Sequence, residues 1–322
     1  MAVYVNTNYS ALQGQRYLGN VQNSLTTTYQ RLSSGMRINS AKDDAAGLQI
    51  ADRLTSQING LNQGNRNASD GIALAQTAES AMDEISSMMQ KIRTLAVQAN
   101  NGTNTMEDKK ALSKEATALA TEINRISKQT TFAGKTILQG YQTNSIVAKP
   151  GAGAGGAAPA DGDPQSMTLQ VGSNKGDTIT FQLGNMMFSK VGEAAKIQGG
   201  NNIDTIIKDG TTAFGKATGD AITVNFSVAD APASIIEFMD KMIGYVDGQR
   251  ADLGAIQNRL ESSIRNQSNV AANEADARSR IRDADFAEES ANLSQQSIIQ
   301  QAAASMLMQA NTRPQLGLSL LG

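Results

Sequence analysis

The sequence predicts a mainly α protein, in which the N- and C-terminal segments form a long antiparallel coiled coil or helical bundle. Apolar residues near both ends recur at alternating steps of four and three, which is typical of helices that pack on other helices. Between these ends, two short stretches alternate apolar and polar residues, which predicts a β-hairpin. A stretch rich in Gly, Ala and Pro indicates a small, irregular, β-containing middle region.

The most regular stretch runs from Asp70 to Gly102. At 1.5 Å per residue, its apolar positions span about 37 Å of a single helix. We expect Asp70 to cap this helix and Asn101-Gly102 to end it with a left-handed residue. The seam consists of Leu74, Ala78, Ala81, Ile85, Met88, Ile92, Leu95 and Ala99.

A thinner seam precedes this rod, from Asn8 to Leu32, and Ser33 to Gly35 should end it. Because this helix is so polar, it is marginally stable alone in water. It should therefore order only when another element packs on it. Its apolar positions are Leu18, Val21, Leu25, Thr28 and Leu32. The pattern resumes from Gly47 through Ala51, Leu54, Ile58 and Leu61, and Asn59 to Asn67 should break it.

Asp43 and Asp44 are neighbouring carboxylates between these segments. A general acid/base pair or Ca²⁺ ligands could be argued, but adjacent residues diverge by 100° on a helix. No third oxygen ligand follows at loop spacing. Helix capping is the better explanation.

After Gly102, Thr105 and Asp108 have the spacing of a capping box. The helix that follows should pack antiparallel to the rod, because the link between them is short. Its seam is Leu112, Ala116, Leu119, Ile123 and Ile126.

The middle of the chain changes character. Lys149 to Pro164 is predicted to be an exposed linker. Thr168–Val171 and Thr178–Leu183 are predicted to pair around the turn Gly172–Gly176, with Leu169, Val171, Ile179, Phe181 and Leu183 on one face. One more strand is predicted at Ile222, Val224, Phe226 and Val228.

The helical pattern returns at Ser234 and supplies a partner for the rod. Its seam positions are Ile235, Met239, Met242, Val246, Gln249, Leu253, Ile256, Leu260, Ser263, Gln267 and Val270. A last helix is predicted from Asp283 to Asn311, ended by Pro314 and followed by an apolar tail from Leu316 to Leu321. Its apolar residues are Phe286, Leu293, Ile298, Ile299, Ala302, Met306 and Ala310.

Three regions follow from this pattern. Residues 1–42 with 283–322 are expected to form a terminal coiled-coil domain. Residues 43–142 with 166–192 and 233–282 are expected to form a helical rod domain that carries the β-hairpin. Residues 143–165 and 193–232 are expected to be variable, surface-exposed insertions.

Composition excludes much of enzymology. The chain has no Cys and no His, which removes disulfides, Ser-His and Cys-His catalysis and most transition-metal sites. A net charge of -2 offers no basic field for nucleic acid or anionic lipid. Neither an apolar run of membrane-spanning length nor a Sec signal is visible, so we expect no membrane partner, and either a cytosolic protein or one exported by a route other than Sec. No catalytic residue, cofactor or metal is expected.

Both ends also carry motifs that closely resemble bacterial flagellin, over about the first 140 and last 90 residues. The motifs are Val5–Asn8, Arg31–Ile50, Asp70–Gly71, Leu74–Ala78, Ile92–Gln98, Leu253–Leu260, Ala277–Ile281, Gln300–Gln301 and Pro314–Leu321. The resemblance implies a structural subunit of the flagellar filament, which polymerises into the helical propeller of bacterial motility. It also implies secretion through the flagellar type III export apparatus, and partners in the flagellar cap, the junction proteins and an export chaperone.

On this interpretation the terminal helices fold as the chain self-assembles, and their apolar side chains exchange water for neighbouring subunits. A head-to-tail contact that does not close into a ring gives a helical polymer. The expected subunit interface is Leu18, Val21, Leu25, Leu32, Ile298, Ile299, Met306, Leu318, Leu320 and Leu321. The alternative is that these residues complete an intramolecular bundle.

The resemblance further implies a surface that an innate immune receptor of animals reads. Matching motifs place it at Lys91, Leu95, Glu115 and Arg259. Lys91 stands where Arg is common in recognised members, and Thr94 where Glu is common. Because Lys cannot make Arg's planar bidentate contact, weaker recognition is expected. The alternative is that Leu95 simply belongs to the seam and that the charged side chains are solvated.

Other interpretations remain open at this point. A hook-filament junction protein shares the terminal pattern, and an enzyme in the middle domain would need a catalytic constellation between Gln142 and Ala233. Asn-X-Ser/Thr triplets start at Asn8, Asn67, Asn101 and Asn225, a pattern that is common by chance. Asp283, Asp285, Glu288 and Glu289 could suggest a divalent cation, but more simply favour the start of the last helix through its dipole.

Overall fold

The structure, a computed structural model, describes residues 7–142, 144–146, 163–195, 214–216, 222–227 and 231–319, and only the backbone for 214–216 and 313–319. Its described helices are α1 (Tyr9–Ser34), α2 (Ala45–Ala99), α3 (Met106–Gln129), α4 (Phe188–Ala194), α5 (Ala231–Arg282) and α6 (Phe286–Ser319). Its described strands are β1 (Thr131–Phe132), β2 (Lys135–Thr136), β3 (Gln165–Gln170), β4 (Thr178–Leu183), β5 (Phe214–Lys216) and β6 (Ile222–Val224). The mainly α class with small antiparallel hairpins is therefore confirmed.

The chain divides into two compact units, Met1–Asn59 with Asn269–Gly322 and Gly60–Ser268. These boundaries fall inside α2 and α5, whereas we predicted divisions after residues 42 and 282. The three predicted regions stay a prediction.

In the unit Gly60–Ser268, α2 and α5 run antiparallel in heptad register. Arg93 forms an ion pair with Asp240, and seven residues along each helix Ser86 donates a hydrogen bond to Asp247. Further along, Arg250 pairs with Asp83 at 2.9 Å. The two long seams predicted from sequence therefore face each other, and both contribute to one core with α3.

The core-facing side of α2 is wider than the predicted seam. Ala75, Met82, Met89 and Ala96 are fully buried beside the predicted positions. A helix in contact with a single partner needs only a narrow a/d seam, whereas one packed against more than one element buries a broader stripe. Val270 is exposed and does not continue the α5 seam. After Gln267, the next residue on the less exposed side of the helix is Ala271.

The predicted break at Asn59–Asn67 is wrong, because α2 is continuous from Ala45 to Ala99. The glycines serve close packing instead. A Cβ on Gly64 would lie 2.0 Å from the Val171 carbonyl oxygen, and one on Gly60 would lie 2.7 Å from the Ser173 Cβ. The hairpin thus rests directly on the helix backbone, and Asn67 Nδ2 donates to the Gln170 carbonyl at 2.9 Å. It follows that Asp70 is an interior helical residue and not a cap.

The predicted helix caps at Asp44 and Thr105 are confirmed. Asp44 Oδ1 accepts from the Gly47 N–H at 2.9 Å at the start of α2, and Thr105 and Asp108 form a reciprocal capping box on α3. At the end of α2, neither Asn101 nor Gly102 has a positive φ, contrary to prediction. The Asn104 side chain instead donates to the Gln98 carbonyl at 2.6 Å and ends the helix.

The predicted β-hairpin is confirmed, with β3 beginning three residues earlier than expected and Gln170 paired with Thr178. Its inner face buries Met167, Val171, Ile179, Phe181 and Leu183. The predicted linker lies outside the described residues up to 162.

A second hairpin joins β5 and β6. The predicted strand is confirmed for Ile222–Val224, while Val228 lies outside the described residues. Side chains of α3 supply polar partners to this strand: the Val224 N–H donates to Thr117 Oγ1 at 3.0 Å, and the Phe226 N–H to Ser113 Oγ at 2.9 Å. Although we predicted surface exposure for 193–232, the structure buries Ile222, Val224 and Phe226.

Candidate functional site: the terminal helix pair

In the unit Met1–Asn59 with Asn269–Gly322, α1 and α6 lie antiparallel, and we call them the terminal helix pair. A Cβ on Gly14 would lie 4.0 Å from the Leu307 Cβ, whereas Arg31, later in α1, contacts Glu289, earlier in α6. Gly35, at φ 69°, ends α1, and its carbonyl accepts from the Ala284 N–H at 3.0 Å. The Arg37 N–H donates to the Arg282 carbonyl at 2.7 Å, so a backbone clamp closes this end of the pair.

The opposite end of the pair overturns a prediction. Helix α6 runs through Pro314 to Ser319, although we expected it to stop at the proline. Pro314 has no N–H to donate to the carbonyl four residues earlier, which belongs to Ala310. Asn8 Nδ2 donates to that carbonyl at 2.8 Å, so its hydrogen bond is restored from the other helix.

The seam between α1 and α6 is thin. On α1, the predicted positions Leu18, Val21, Leu25 and Leu32 are half-buried, and Thr28 is buried. On α6, the half-buried positions up to residue 312 are Asn292, Leu293, Gln296, Ser297, Gln300, Ala303, Leu307 and Ala310. Of the apolar residues predicted for this helix, only Leu293 and Ala310 belong to that face.

Large apolar side chains of α6 point to solvent instead. Ile298 is 67% exposed and Met306 71%, and Ile299 is also exposed. Exposed aromatic and aliphatic residues lie on α1 as well. Together the exposed apolar set comprises Tyr9, Leu12, Tyr17, Tyr29, Phe286, Ile298, Ile299, Met306 and Met308.

Two shallow cavities line the pair. One, of about 340 Å³, is formed by both helices and includes Gly14, Tyr17, Met306 and Gln309. The other, of about 450 Å³, lies beside Tyr29 and Asn39. Exposed apolar residues thus border concave surface on the terminal helix pair.

Sequence reasoning found part of this surface. It named Ile298, Ile299 and Met306, which are exposed, but its α1 positions lie between the two helices. It missed Tyr9, Leu12, Tyr17, Tyr29 and Met308. The sequence signal that could have identified them is that they are large apolar residues outside the heptad seam. The Leu318 side chain, Leu320 and Leu321 lie outside the described residues.

The predicted receptor surface belongs to the other unit. Lys91, Glu115 and Arg259 are exposed, while Leu95 is half-buried against the core. Lys91 lies eight residues before the end of α2 at Ala99, and Glu115 lies nine residues after the start of α3 at Met106. Two helices joined by a short link pack antiparallel, which would bring the two residues to a similar level. The hydrogen bond from Gln257 to Glu79 and the antiparallel register of α2 and α5 place Arg259 roughly 20 to 25 Å along α2 from Lys91.

Neighbouring carboxylates have structural roles here. The Ser40 backbone and hydroxyl, with the Asn39 N–H, hold the pKa of Asp43 below its usual value. Asp285 Oδ1 accepts from the Ala287 N–H at 2.8 Å, at the start of α6. Within the described residues no cluster of three or more acidic groups could hold a metal ion. The described helices include none long and apolar enough to cross a membrane.

The terminal helix pair packs along a thin seam and leaves large apolar side chains exposed to water. This arrangement is typical of a structural subunit that assembles through its helices. Comparisons with known proteins give the family. Family models of the bacterial flagellin N-terminal and C-terminal helical regions match residues 5–143 and 236–321. Flagellin D of Vibrio anguillarum is 38% identical over 378 residues, and flagellin A of Vibrio cholerae is 37% identical over 381, with both chains covered completely in each case.

The chain therefore belongs to the bacterial flagellin family, and it is a structural subunit of the flagellar filament, the extracellular part of the flagellum. A solved structure of a candidate flagellar hook-associated protein from Vibrio parahaemolyticus shares the fold, at a TM-score of 0.54 and 18% identity. It covers 75% of this chain and 100% of that one. At that identity the likeness shows the fold alone.

Proposed function

We propose that the terminal helix pair is the surface through which this chain polymerises, and that it becomes fully ordered only in the filament. The observation that carries this is the orientation of α6. Gln296 and Gln300 face α1, whereas Ile298, Ile299 and Met306 face water. A helix stable in isolation would bury the larger apolar residues, so this orientation suits a helix that meets further copies.

Burial against neighbouring subunits would stabilise assembly. Each large apolar side chain contributes about 1.5 to 3 kcal/mol when it is fully removed from water. The proposed interface includes Leu18, Val21, Leu25, Leu32, Ile298, Ile299, Met306, Leu318, Leu320 and Leu321, with Tyr17 and Met308 added from the structure. A heterologous contact of this kind extends into a helix. Family membership supports export through the flagellar type III apparatus, interaction with its chaperone and cap, a propeller role in motility and a non-catalytic chain.

The test is a pair of matched α6 variants. Ile298→Ser with Met306→Ser removes two exposed apolar side chains, and Gln301→Ser with Ser305→Ala changes two exposed polar ones. Seeded monomer should form filaments in the parent and the polar control, as seen by electron microscopy and sedimentation, and should fail in the apolar variant. Normal polymerisation of the apolar variant would show that this face is not the interface.

A hook-filament junction role would give a different cellular result. A junction protein is present in few copies at one end, so it would be scarce in sheared filaments. We expect this chain to be their main component.

We also propose that Lys91, Leu95, Glu115 and Arg259 form the surface read by an innate immune receptor of animals. This proposal is supported by the exposure of Lys91 and Glu115 and by their similar distance from the link between α2 and α3. Lys91→Arg with Thr94→Glu should increase receptor activation in a reporter cell assay, because Arg makes bidentate contacts that Lys cannot. An equal change at Lys128 on α3, Lys128→Arg, is the control and should leave activation unchanged.

A further inference from the structure

The terminal helix pair contains one charged contact between its two seams. Arg31 Nη1 donates to Glu289 Oε1 at 3.0 Å, and the Glu289 side chain is only 8% exposed. Among the described residues of α1 and α6, this is the single hydrogen bond that joins a side chain of one helix to a side chain of the other. The Nε atom of Arg31 is buried beside it without a partner.

Apolar packing does not select the observed register. With Gly14 opposite Leu307, Val21 comes level with Gln300, one heptad further along each helix. Sliding α6 by one heptad would bring Val21 level with Leu307 instead, a more apolar pairing. Because both seams repeat every seven residues, the slipped arrangement would fill the same knob and hole positions.

The other hydrogen bonds between the helices lie at the two ends of the pair and not in its seam. The clamp between Gly35 and Ala284 uses backbone groups on both sides, and Asn8 donates to the Ala310 backbone carbonyl. Ala310 carries the carbonyl that Pro314 leaves without a helical donor, and Arg282 and Ala284 lie next to the short link before α6, so a slip of one heptad would break these end contacts as well.

We propose that the Arg31–Glu289 ion pair is the contact within the seam that fixes the register of α1 against α6. A slip of one heptad would move the two charges about 10 Å apart along the helix and leave a carboxylate in the seam without its cation. Buried polar groups are well attested in this role in coiled coils, where they cost stability and specify alignment. The ion pair thus determines where along α1 the exposed apolar residues of α6 lie.

The absence of cysteine makes the register directly measurable. The full-length chain is given three substitutions, Gly14→Cys, Val21→Cys and Leu307→Cys. Under mild oxidation the cysteine at position 307 can then form a disulfide with the cysteine at position 14 or with the one at position 21. The Cβ separation of 4.0 Å at position 14 suits a disulfide, and the 21–307 bond reports the slip. Trypsin cuts after Arg16, so mass spectrometry separates the two products.

In the parent background the 14–307 disulfide should dominate. Arg31→Glu or Glu289→Arg alone should lower the ratio of 14–307 to 21–307 product at least about tenfold, and the two together should restore it to within about twofold. Glu288→Arg, the same charge change on an exposed neighbour, is the matched control and should leave the ratio unchanged.

Unchanged ratios in the single variants, no recovery in the double variant, or a parent that never forms the 14–307 bond would each overturn the proposal. Because the proposed function has the terminal helix pair order fully in the filament, the oxidation is carried out on assembled filaments, and only disulfides within one chain, which stay at monomer size on a non-reducing gel, are counted. The ratio of the two disulfides is read separately from whether filaments form, so the two tests can fail independently.

Discussion

Asn8 joins the beginning of α1 to the far part of α6 through its single side chain. Its Oδ1 accepts from the Ala11 N–H at 3.1 Å and caps α1, while its Nδ2 donates to the Ala310 carbonyl at 2.8 Å. Since Pro314 cannot donate to that carbonyl, one amide supports two helix segments that are 302 residues apart.

Asn8→Ala should therefore lower the free energy of unfolding by more than the loss of an ordinary helix cap does. Loss of the cap contributes about 1 kcal/mol, and the Ala310 carbonyl loses its partner as well. Urea unfolding of assembled protein, followed by circular dichroism, would measure the loss. In a Pro314→Ala background the helix supplies its own donor, so the cost of Asn8→Ala should shrink. Asn20→Ala, at an exposed site of the same helix, should have little effect.

Replacing a glycine by alanine should change stability in opposite directions in the two long helices α2 and α5. Gly64→Ala would place a Cβ against the Val171 carbonyl, and we expect destabilisation of about 1–3 kcal/mol as the hairpin shifts. Gly244 in α5 has no atom within 4 Å of its would-be Cβ. Gly244→Ala should stabilise the helix by about 0.5–1 kcal/mol. Urea midpoints of the two variants would decide this, and a stabilised Gly64→Ala would contradict the close packing.

Adjacent residues on α2 should differ sharply in their contribution to stability. Ile92 is fully buried, so Ile92→Ala should cost about 2–5 kcal/mol. Arg93 forms an exposed ion pair with Asp240, and Arg93→Ala should cost less than about 1 kcal/mol. Chemical unfolding under identical conditions gives both values, and comparable losses would argue against the assignment of the inner face.

The capping box of α3 should contribute a pH-dependent stability. The Thr105 hydroxyl and then the Thr105 N–H hold the pKa of Asp108 below its usual value. Because the unfolded chain takes up this proton first, the stabilisation is complete above the unfolded pKa and is lost as pH falls through the folded pKa. Thermal midpoints from about pH 6 to about pH 2 should therefore fall less steeply in Asp108→Asn than in the parent. Equal slopes in the parent and in Asp108→Asn would contradict this prediction.

Recognition of the candidate site from sequence was partial for a physical reason. A heptad pattern identifies which side of a helix is apolar, and it placed the facing seams of α2 and α5 correctly. It cannot say whether an apolar residue faces its own chain or solvent when two stripes compete. On α6 both Leu293 with Leu307 and Ile298 with Met306 follow helical spacing, and only the position of α1 separates them.

By itself the sequence determined the helical class, the seams of α2, α3 and α5, the β-hairpin and the capping box, because each depends on contacts within a few residues or on a strict period. The tertiary structure alone decided that Gly60 and Gly64 continue a helix, that Asn8 compensates for Pro314, and that α6 turns its larger apolar residues to water. Each of these rests on an atom contributed by a distant segment, whose position no local pattern encodes.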